Sequence, residues 1–270
     1  MLNQELFKEE KYKNKKRERL IKILSNALKN IANDKDLGLD YILICACALE
    51  LLESVLGIKY DFPVDIDKIA HELGIDVVYQ PLNGKMGRQD GRAHKVVGRN
   101  LKIMNPITGN KNNCILIDDE SRYDAQRYAF AHELAHYMIH EEEKNYNSEY
   151  CVMPMLFKKM EEMVADIFAI FLLIPLPIFL KEFVEYLGDQ SVPVRTSEWL
   201  KYLSIVAEVP YEEVAIGYQN IRYVCGSLYA SIYNDSMNES RTGKIDVSLQ
   251  KQIEKMKQML TADVIEKLFC

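Results

Sequence analysis

Apolar residues near the start of the chain recur at the three- and four-residue spacing of one helix face. This spacing predicts an amphipathic helix over residues 5–33, whose apolar stripe consists of Leu20, Ile21, Leu24, Leu28 and Ile31. A second and more apolar helix is predicted over residues 38–57, ending near Gly57. Together the two helices form a predicted N-terminal helical extension, residues 1–58.

The pattern changes after Phe62-Pro63, where shorter elements begin. Asp65 can cap a short helix that ends at Gly74. The following region alternates between β-branched runs and polar, glycine-rich segments, which is typical of strands and turns. We expect a loop at residues 83–94 and a small three-stranded sheet formed by residues 75–82, 95–105 and 113–118.

Helical spacing returns after the third predicted strand. Asp118, Asp119 and Ser121 are candidate caps for a helix that reaches His140, and the polar residues 141–150 end it. The later helices are expected to begin after prolines or polar segments, because proline cannot continue a helix. They are predicted at residues 156–173, 198–222 (two helices around Val209-Pro210) and 244–269.

These elements predict an α+β fold with three segments. A mostly helical domain with the small sheet occupies residues 59–182, between the N-terminal extension and a C-terminal helical subdomain, residues 183–270. The helix pair at 198–222 is compatible with a helix-turn-helix, although two packed helices are the commoner explanation.

Composition and charge exclude some classes of function. The chain has 270 residues, 48% of them hydrophobic, and a net charge of −6, which argues against a dedicated nucleic-acid-binding protein. Residues 1–35 are nevertheless basic, with ten Lys/Arg against five Asp/Glu. A solvated helix face is the commoner explanation, and a weak anchor for an acidic partner or nucleic acid is the alternative.

No apolar run is long enough to cross a membrane. The longest, Tyr41–Leu52 and Ile167–Leu180, fall short of the about 20 residues that a span needs, so both are predicted to be buried helices. The first residues lack the apolar segment of a signal peptide, and the six cysteines form no CxxC pair. We therefore expect a cytoplasmic protein with reduced thiols.

The string His132-Glu133-Leu134-Ala135-His136 is an H-E-x-x-H motif. Residues four apart lie on one side of a helix, so both imidazoles can bind one ion, and zinc accepts histidine nitrogen. Glu133 lies beside His132 and can act as the general base on a water in the fourth coordination position. By itself the motif is also compatible with ordinary surface residues.

A catalytic zinc site normally needs a third protein ligand. The string Glu162-x-x-Ala165-Asp166 resembles the second zinc helix of gluzincin peptidases. The resemblance implies that Glu162 is the third ligand and that Asp166 accepts a hydrogen bond from a ligand histidine. Glu161 is the main rival ligand, because it lies only about 100° around the helix.

Other candidate residues surround the motif. His140 continues the face of His132 and His136, but it lacks the spacing of a third metzincin ligand, so we expect it at the rim of the site. Tyr128 and Tyr137 are candidates for polarising a substrate carbonyl.

Two motifs and an upstream segment together resemble the ImmA/IrrE family of metallopeptidases over about residues 60–180. The matching segments are FPVDIDKIAHELGIDVVYQPL, ILIDDESRYDAQRYAFAHELAHYMIH and EEMVADIFAIFLLIP. The resemblance implies a gluzincin-like (zincin-like) fold with a small sheet beside the active-site helix. It also implies a regulatory role, since members are associated with mobile elements, phages and stress responses and are thought to act on a helix-turn-helix repressor.

Two functions of different classes follow. The first is a regulatory zinc-dependent endopeptidase that cleaves a protein such as a transcriptional repressor. The alternative is a non-catalytic, zinc-stabilised binding module that docks on a repressor, a toxin or DNA. Glu133 favours the enzyme, because a structural zinc site needs no base and usually has four protein ligands. Trimming of small peptides is a third, weaker possibility, and direct nucleic-acid binding is not expected.

Overall fold

The computed structural model confirms an α+β fold in which a mixed sheet packs against a group of helices. The structure describes residues 2–33, 40–57, 59, 62–82, 86–89, 92–104, 111–140, 146–151, 160–187, 196–233 and 245–269. Three helices precede the sheet: α1 (Leu2–Asn33), α2 (Tyr41–Val55) and α3 (Ile66–Leu73).

The predicted ends of α3 are confirmed, and so is the apolar stripe of α1. Asp65 accepts a hydrogen bond from the backbone N–H of Lys68 at 2.9 Å. Gly74 ends α3 with a φ of +66°, a conformation that glycine adopts more readily than other residues. The five residues of the stripe on α1 are all buried, so this helix is packed into the core from Leu20 onwards.

The sheet contains the three predicted strands and two more. Its strands are β1 (Asp76–Gln80), β2 (Met86–Gln89), β3 (Arg92–Met104), β4 (Lys111–Asp118) and β5 (Tyr146–Cys151). β1 runs parallel to β4, and β3 runs antiparallel to β4, so the predicted three-stranded part is a mixed sheet. β2 and β5 both pair antiparallel with β3. The expectation of a loop at 83–94 is therefore wrong at β2 and at the first residues of β3.

Helix α4 (Tyr123–Ile139) packs against this sheet, and helix α5 (Met160–Leu173) packs against α4. The predicted caps of α4 are wrong, because Arg122 holds the N-cap position without a side-chain cap bond. Asp118 instead accepts hydrogen bonds from the Leu82 backbone N–H at 3.0 Å and the Ser121 hydroxyl at 2.6 Å. That carboxylate therefore joins the end of β4 to the segment after β1. The predicted start of α5 near residue 156 lies outside the described residues.

The remaining helices follow α5 in sequence. They are α6 (Leu176–Leu187), α7 (Thr196–Ala207), α8 (Tyr211–Tyr233), α9 (Val247–Met259) and α10 (Ala262–Phe269). The predicted helix pair at 198–222 is confirmed as α7 and α8. The single predicted helix over 244–269 is wrong, because it divides at Leu260 and Thr261. The Thr261 hydroxyl accepts a hydrogen bond from the Val264 N–H at 3.4 Å, which caps α10.

The apolar residues of all three predicted segments contribute to one buried cluster. Leu28 of α1, Leu134 of α4 and Leu249 of α9 are examples, each at most 1% exposed. The Ser25 hydroxyl of α1 also donates a hydrogen bond to the Met138 carbonyl near the end of α4. Helix α1 therefore packs directly on the helix that carries the H-E-x-x-H motif, and α2 packs on α5. The division at residues 58 and 182 stays a prediction.

A buried arginine connects three distant parts of the chain. Arg127 of α4 is 3% exposed. Its Nη2 donates to the Val64 carbonyl at 2.8 Å, and its Nε lies 3.5 Å from the Glu208 carboxylate. Glu208, in the turn between α7 and α8, has a φ of +53°, which costs on the order of 1 kcal/mol or more for a residue with a side chain. This turn brings the Glu208 carboxylate next to the buried guanidinium.

No single helix in the described parts of the chain has the length and apolar character to cross a membrane. Only α5 and α6 taken together reach that length, and they are bent by 56° relative to each other.

Three cysteines lie in the core, and we expect them to be unreactive in the folded protein. Cys45, Cys47 and Cys225 are fully buried, and burial raises the pKa of Cys225 from 9.0 to about 12. The thiol therefore stays protonated well above pH 8, and the thiolate is the reactive form. Iodoacetamide at pH 8 should label these three positions only after unfolding, as mass spectrometry of tryptic peptides would reveal. Rapid labelling of the native protein would contradict the packing of α2 against α8.

Candidate metal centre

The H-E-x-x-H motif lies in the buried half of α4. His132 and His136 are each 1% exposed and Glu133 is 0% exposed. The two rings lie edge to face with centroids 4.8 Å apart, and their Nε2 atoms are 3.1 Å apart. One turn of helix therefore aims both Nε2 atoms at the same point. The alternative of ordinary surface residues does not agree with this burial.

α5 brings a carboxylate to the same point. Glu162 lies in the first turn of this helix, with its carboxylate oxygens 3.4 Å from His132 Nε2 and 3.4 Å from His136 Nε2. Glu161 does not approach these atoms; its carboxylate lies 3.6 Å from His140 Nε2. The rotation of α5 thus selects Glu162, not Glu161, as the carboxylate that faces the histidine pair.

The three donor groups fit a tetrahedral metal ion. Zinc bonds of about 2.0–2.1 Å in tetrahedral geometry place two donor atoms about 3.3–3.4 Å apart. The Nε2 atoms of His132 and His136 are 3.1 Å apart, and each has a different carboxylate oxygen of Glu162 at 3.4 Å. Among the described residues these three form a group able to hold a metal ion. Three protein donors leave a coordination position for water or substrate, as in catalytic sites.

Asp166 orients the first histidine from behind. Its carboxylate lies 2.9 Å from His132 Nδ1, so Nδ1 can carry the proton and Nε2 is left with the lone pair that a metal needs. The Tyr128 hydroxyl lies 3.4 Å from the same carboxylate oxygen of Asp166. Tyr128 therefore contacts the carboxylate that orients His132. This position does not agree with the predicted role of polarising a substrate carbonyl. Sequence reasoning missed this contact, although Tyr128 lies one helical turn before His132.

The charges around the histidines favour a cation. Burial lowers the pKa of His132, but hydrogen bonds with Asp166 and Glu162 outweigh it and raise the pKa from 6.5 to about 10. Burial would raise the pKa of the Glu162 carboxyl, yet hydrogen bonds with the two histidines hold it well below its usual range. Glu162 is therefore ionised at neutral pH, and the acidic surroundings that favour the imidazolium form of His132 would also favour a divalent ion in place of that proton.

Removing the carboxylate of Asp166 is expected to weaken metal binding without removing any donor atom. We expect Asp166→Ala to lower zinc affinity by about 10- to 100-fold, the usual effect of losing the hydrogen-bond partner of a ligand histidine. Asp166→Asn, which keeps an acceptor oxygen, should fall in between, and Tyr128→Phe should have a smaller effect because its contact is longer. Competition for zinc with a chromogenic chelator measures the zinc affinities of the three variants and of wild type. Equal affinities for wild type and Asp166→Ala would contradict this role.

His140 lies at the edge of the site. Its ring stacks on His136 with centroids 5.9 Å apart, and its Nε2 faces Glu161. It is 9% exposed and does not belong to the group of three donors. This placement agrees with the predicted position at the rim.

Comparison with known proteins agrees with this arrangement. No curated protein matches the chain. The family model of the IrrE N-terminal-like domain, Peptidase_M78, matches residues 70–217, which include the whole donor set. This match confirms the resemblance to the ImmA/IrrE family and supports a metallopeptidase-type function. The chain belongs to the IrrE N-terminal-like (Peptidase_M78) family of peptidases.

Proposed function

We propose that this chain is a zinc-dependent endopeptidase that uses His132, His136 and Glu162 as ligands and Glu133 as general base. The observation that carries the proposal is the close approach of three donor groups on α4 and α5: the histidine Nε2 atoms are 3.1 Å apart, and each lies 3.4 Å from the Glu162 carboxylate. Two imidazoles and one carboxylate, with an orienting Asp166, form a donor set that suits zinc.

Each residue of the site then has a distinct task. When bound, zinc supplies Lewis acidity, which polarises a carbonyl group and makes a water molecule easier to deprotonate. Glu133 accepts the proton of the attacking water on its carboxylate and delivers it to the leaving amine. Asp166 keeps His132 in one tautomer and orientation. The burial of Glu133 limits the access of bulk water to this carboxylate and strengthens its electrostatic interactions.

We further propose that the substrate is a regulatory protein such as a helix-turn-helix transcriptional repressor. The support for this class is the resemblance to the ImmA/IrrE family, whose members are thought to act on such repressors. The first turn of α8 carries two acidic residues, Glu212 and Glu213, which disfavours contacts with nucleic-acid phosphates. Cytoplasmic location stays part of the proposal.

Substrate trapping tests the proposal. Zinc-loaded Glu133→Gln should retain the substrate without cleaving it, so that the captured protein can be identified by mass spectrometry. Incubation with wild type should then cut this protein at a defined site, and removal of zinc should abolish the cut. Glu198→Gln, the same change at an exposed glutamate of α7, serves as the control and should cleave like wild type. A partner that is captured but never cut would instead support the non-catalytic binding module.

A further inference from the structure

The face of the sheet that packs on α4 is unusual where it meets Glu133. On β4, Ile115 and Ile117 are fully buried in the core. Their neighbours on β3 are Asn100 and Gly98, paired with Ile115 and Ile117 respectively. A sheet face buried under a helix normally presents apolar side chains. Here β4 follows that rule, whereas β3 presents a glycine and an amide.

Gly98 lies in direct contact with the proposed general base. A Cβ atom at this position would be 3.2 Å from Cγ of Glu133 and 3.1 Å from Cβ of Ala129. These separations are shorter than ordinary van der Waals contacts of about 3.5–4.0 Å. Because its φ lies outside the left-handed region, the backbone does not require glycine here. A side chain at this position would instead press on Ala129 and on the Glu133 side chain, which would have to shift by a few tenths of an ångström.

The backbone of β3 is irregular at the same point. Val96 pairs with Cys151 of β5 and Gly98 pairs with Tyr150, so Val97 is an extra residue on β3. Such a β-bulge bends the strand locally and changes the direction of its side chains. Val97 is buried next to the buried Gly98, which departs from the alternation of a regular strand. The bulge therefore sets how β3 approaches Glu133.

Asn100 contacts the backbone of the same residue. It is 0% exposed, and its Nδ2 lies 3.5 Å from the Glu133 carbonyl oxygen. Its Oδ1 is buried without a hydrogen-bond partner among the described residues. Burying an amide that is only partly satisfied costs stability compared with an apolar residue. Stability alone therefore does not explain an asparagine opposite Ile115.

We propose that Gly98 and Asn100 are positioning residues for Glu133. Gly98 leaves the space in which the Glu133 side chain lies, and Asn100 holds the Glu133 backbone against β3. The Glu133 side chain is thereby held against β3, on the residue that follows His132 in α4. This inference rests on the proposed function, because it assigns these residues to the general base of that site.

The test measures binding of acetohydroxamic acid to the zinc-loaded, full-length protein by calorimetry. A hydroxamate chelates zinc and hydrogen-bonds to a carboxylate beside the metal, so it requires no knowledge of the substrate. We expect Glu133→Gln to weaken this binding about 10- to 100-fold. Gly98→Ala should retain one zinc per chain and also weaken hydroxamate binding about tenfold or more. In the Glu133→Gln background, Gly98→Ala should cause no further loss, because it acts through Glu133.

A matched control separates this effect from a general loosening of the core. A Cβ at Gly217 of α8 would lie 2.6 Å from Cγ2 of Ile170, a closer contact than at Gly98 but away from Glu133. Gly217→Ala should lower the melting temperature and leave hydroxamate affinity unchanged. If Gly98→Ala does not fold, Asn100→Ala replaces it in the same double-mutant cycle with the same expected result.

The outcomes distinguish this inference from the proposed function. The positioning role is overturned if Gly98→Ala leaves hydroxamate affinity unchanged. It is also overturned if the affinity losses of Gly98→Ala and Glu133→Gln multiply in the double variant, or if Gly217→Ala weakens hydroxamate binding as much as Gly98→Ala does. The proposed function itself is overturned, and the inference with it, if wild type binds neither zinc nor hydroxamate or if Glu133→Gln leaves the affinity intact.

Discussion

Replacing Glu133 with Gln is expected to lower kcat for the protein's own substrate by about 10²- to 10⁴-fold, the contribution of a well-placed general base. The change keeps the size of the side chain and removes only its capacity to accept a proton. Because Glu133 is not among the three donors, zinc content should stay at the wild-type value. Single-turnover cleavage measures the rate, and elemental mass spectrometry measures the metal.

The exposed Glu198→Gln on α7 is the control for this prediction, and its kcat should equal that of wild type. Unchanged cleavage by Glu133→Gln with zinc still bound would show that another group accepts the proton. Loss of both zinc and activity would show instead that Glu133 contributes to holding the metal, contrary to the geometry.

Glu162→Ala is expected to remove zinc at concentrations where Glu161→Ala remains fully loaded. The Glu162 carboxylate lies 3.4 Å from both histidine Nε2 atoms, whereas the Glu161 carboxylate faces His140 at 3.6 Å. Losing a direct ligand should cost more than the about 10- to 100-fold typical of an orienting residue such as Asp166. Zinc content after dialysis against a weak chelator provides the measurement.

The two substitutions form a matched pair, because each removes one carboxylate and the two positions are adjacent on α5. A general electrostatic effect on the site would affect both variants alike. Equal loss of zinc in the two proteins would therefore contradict the assignment of Glu162 as the third ligand. Glu161→Ala should instead change only the surroundings of His140.

The donor set could be predicted from sequence because it depends on local spacing. His132 and His136 are four residues apart, and Glu162 and Asp166 repeat that spacing, so helical geometry places each pair on one face. Choosing Glu162 over Glu161 needed the resemblance to gluzincins, since the rotation of α5 about its axis is a tertiary property.

The contacts that β3 makes with Glu133 could not be predicted in this way. Gly98 and Asn100 precede Glu133 by more than thirty positions in the sequence, and a glycine carries no chemical signal. Similarly, β2 and β5 consist largely of polar residues, and their place in the sheet comes from backbone pairing with β3. Strand preference depends on such neighbours more than on the residues themselves.

The ion pair between Arg127 and Glu208 has a consequence for how the protein folds during its synthesis. The helix with the metal ligands is synthesised well before residue 208, yet its buried guanidinium finds this counter-charge only in the turn between α7 and α8. A nascent chain that ends earlier would bury Arg127 without the carboxylate, which is strongly destabilising. We therefore expect α4, and with it the candidate metal centre, to pack stably only after translation has passed the α7–α8 turn.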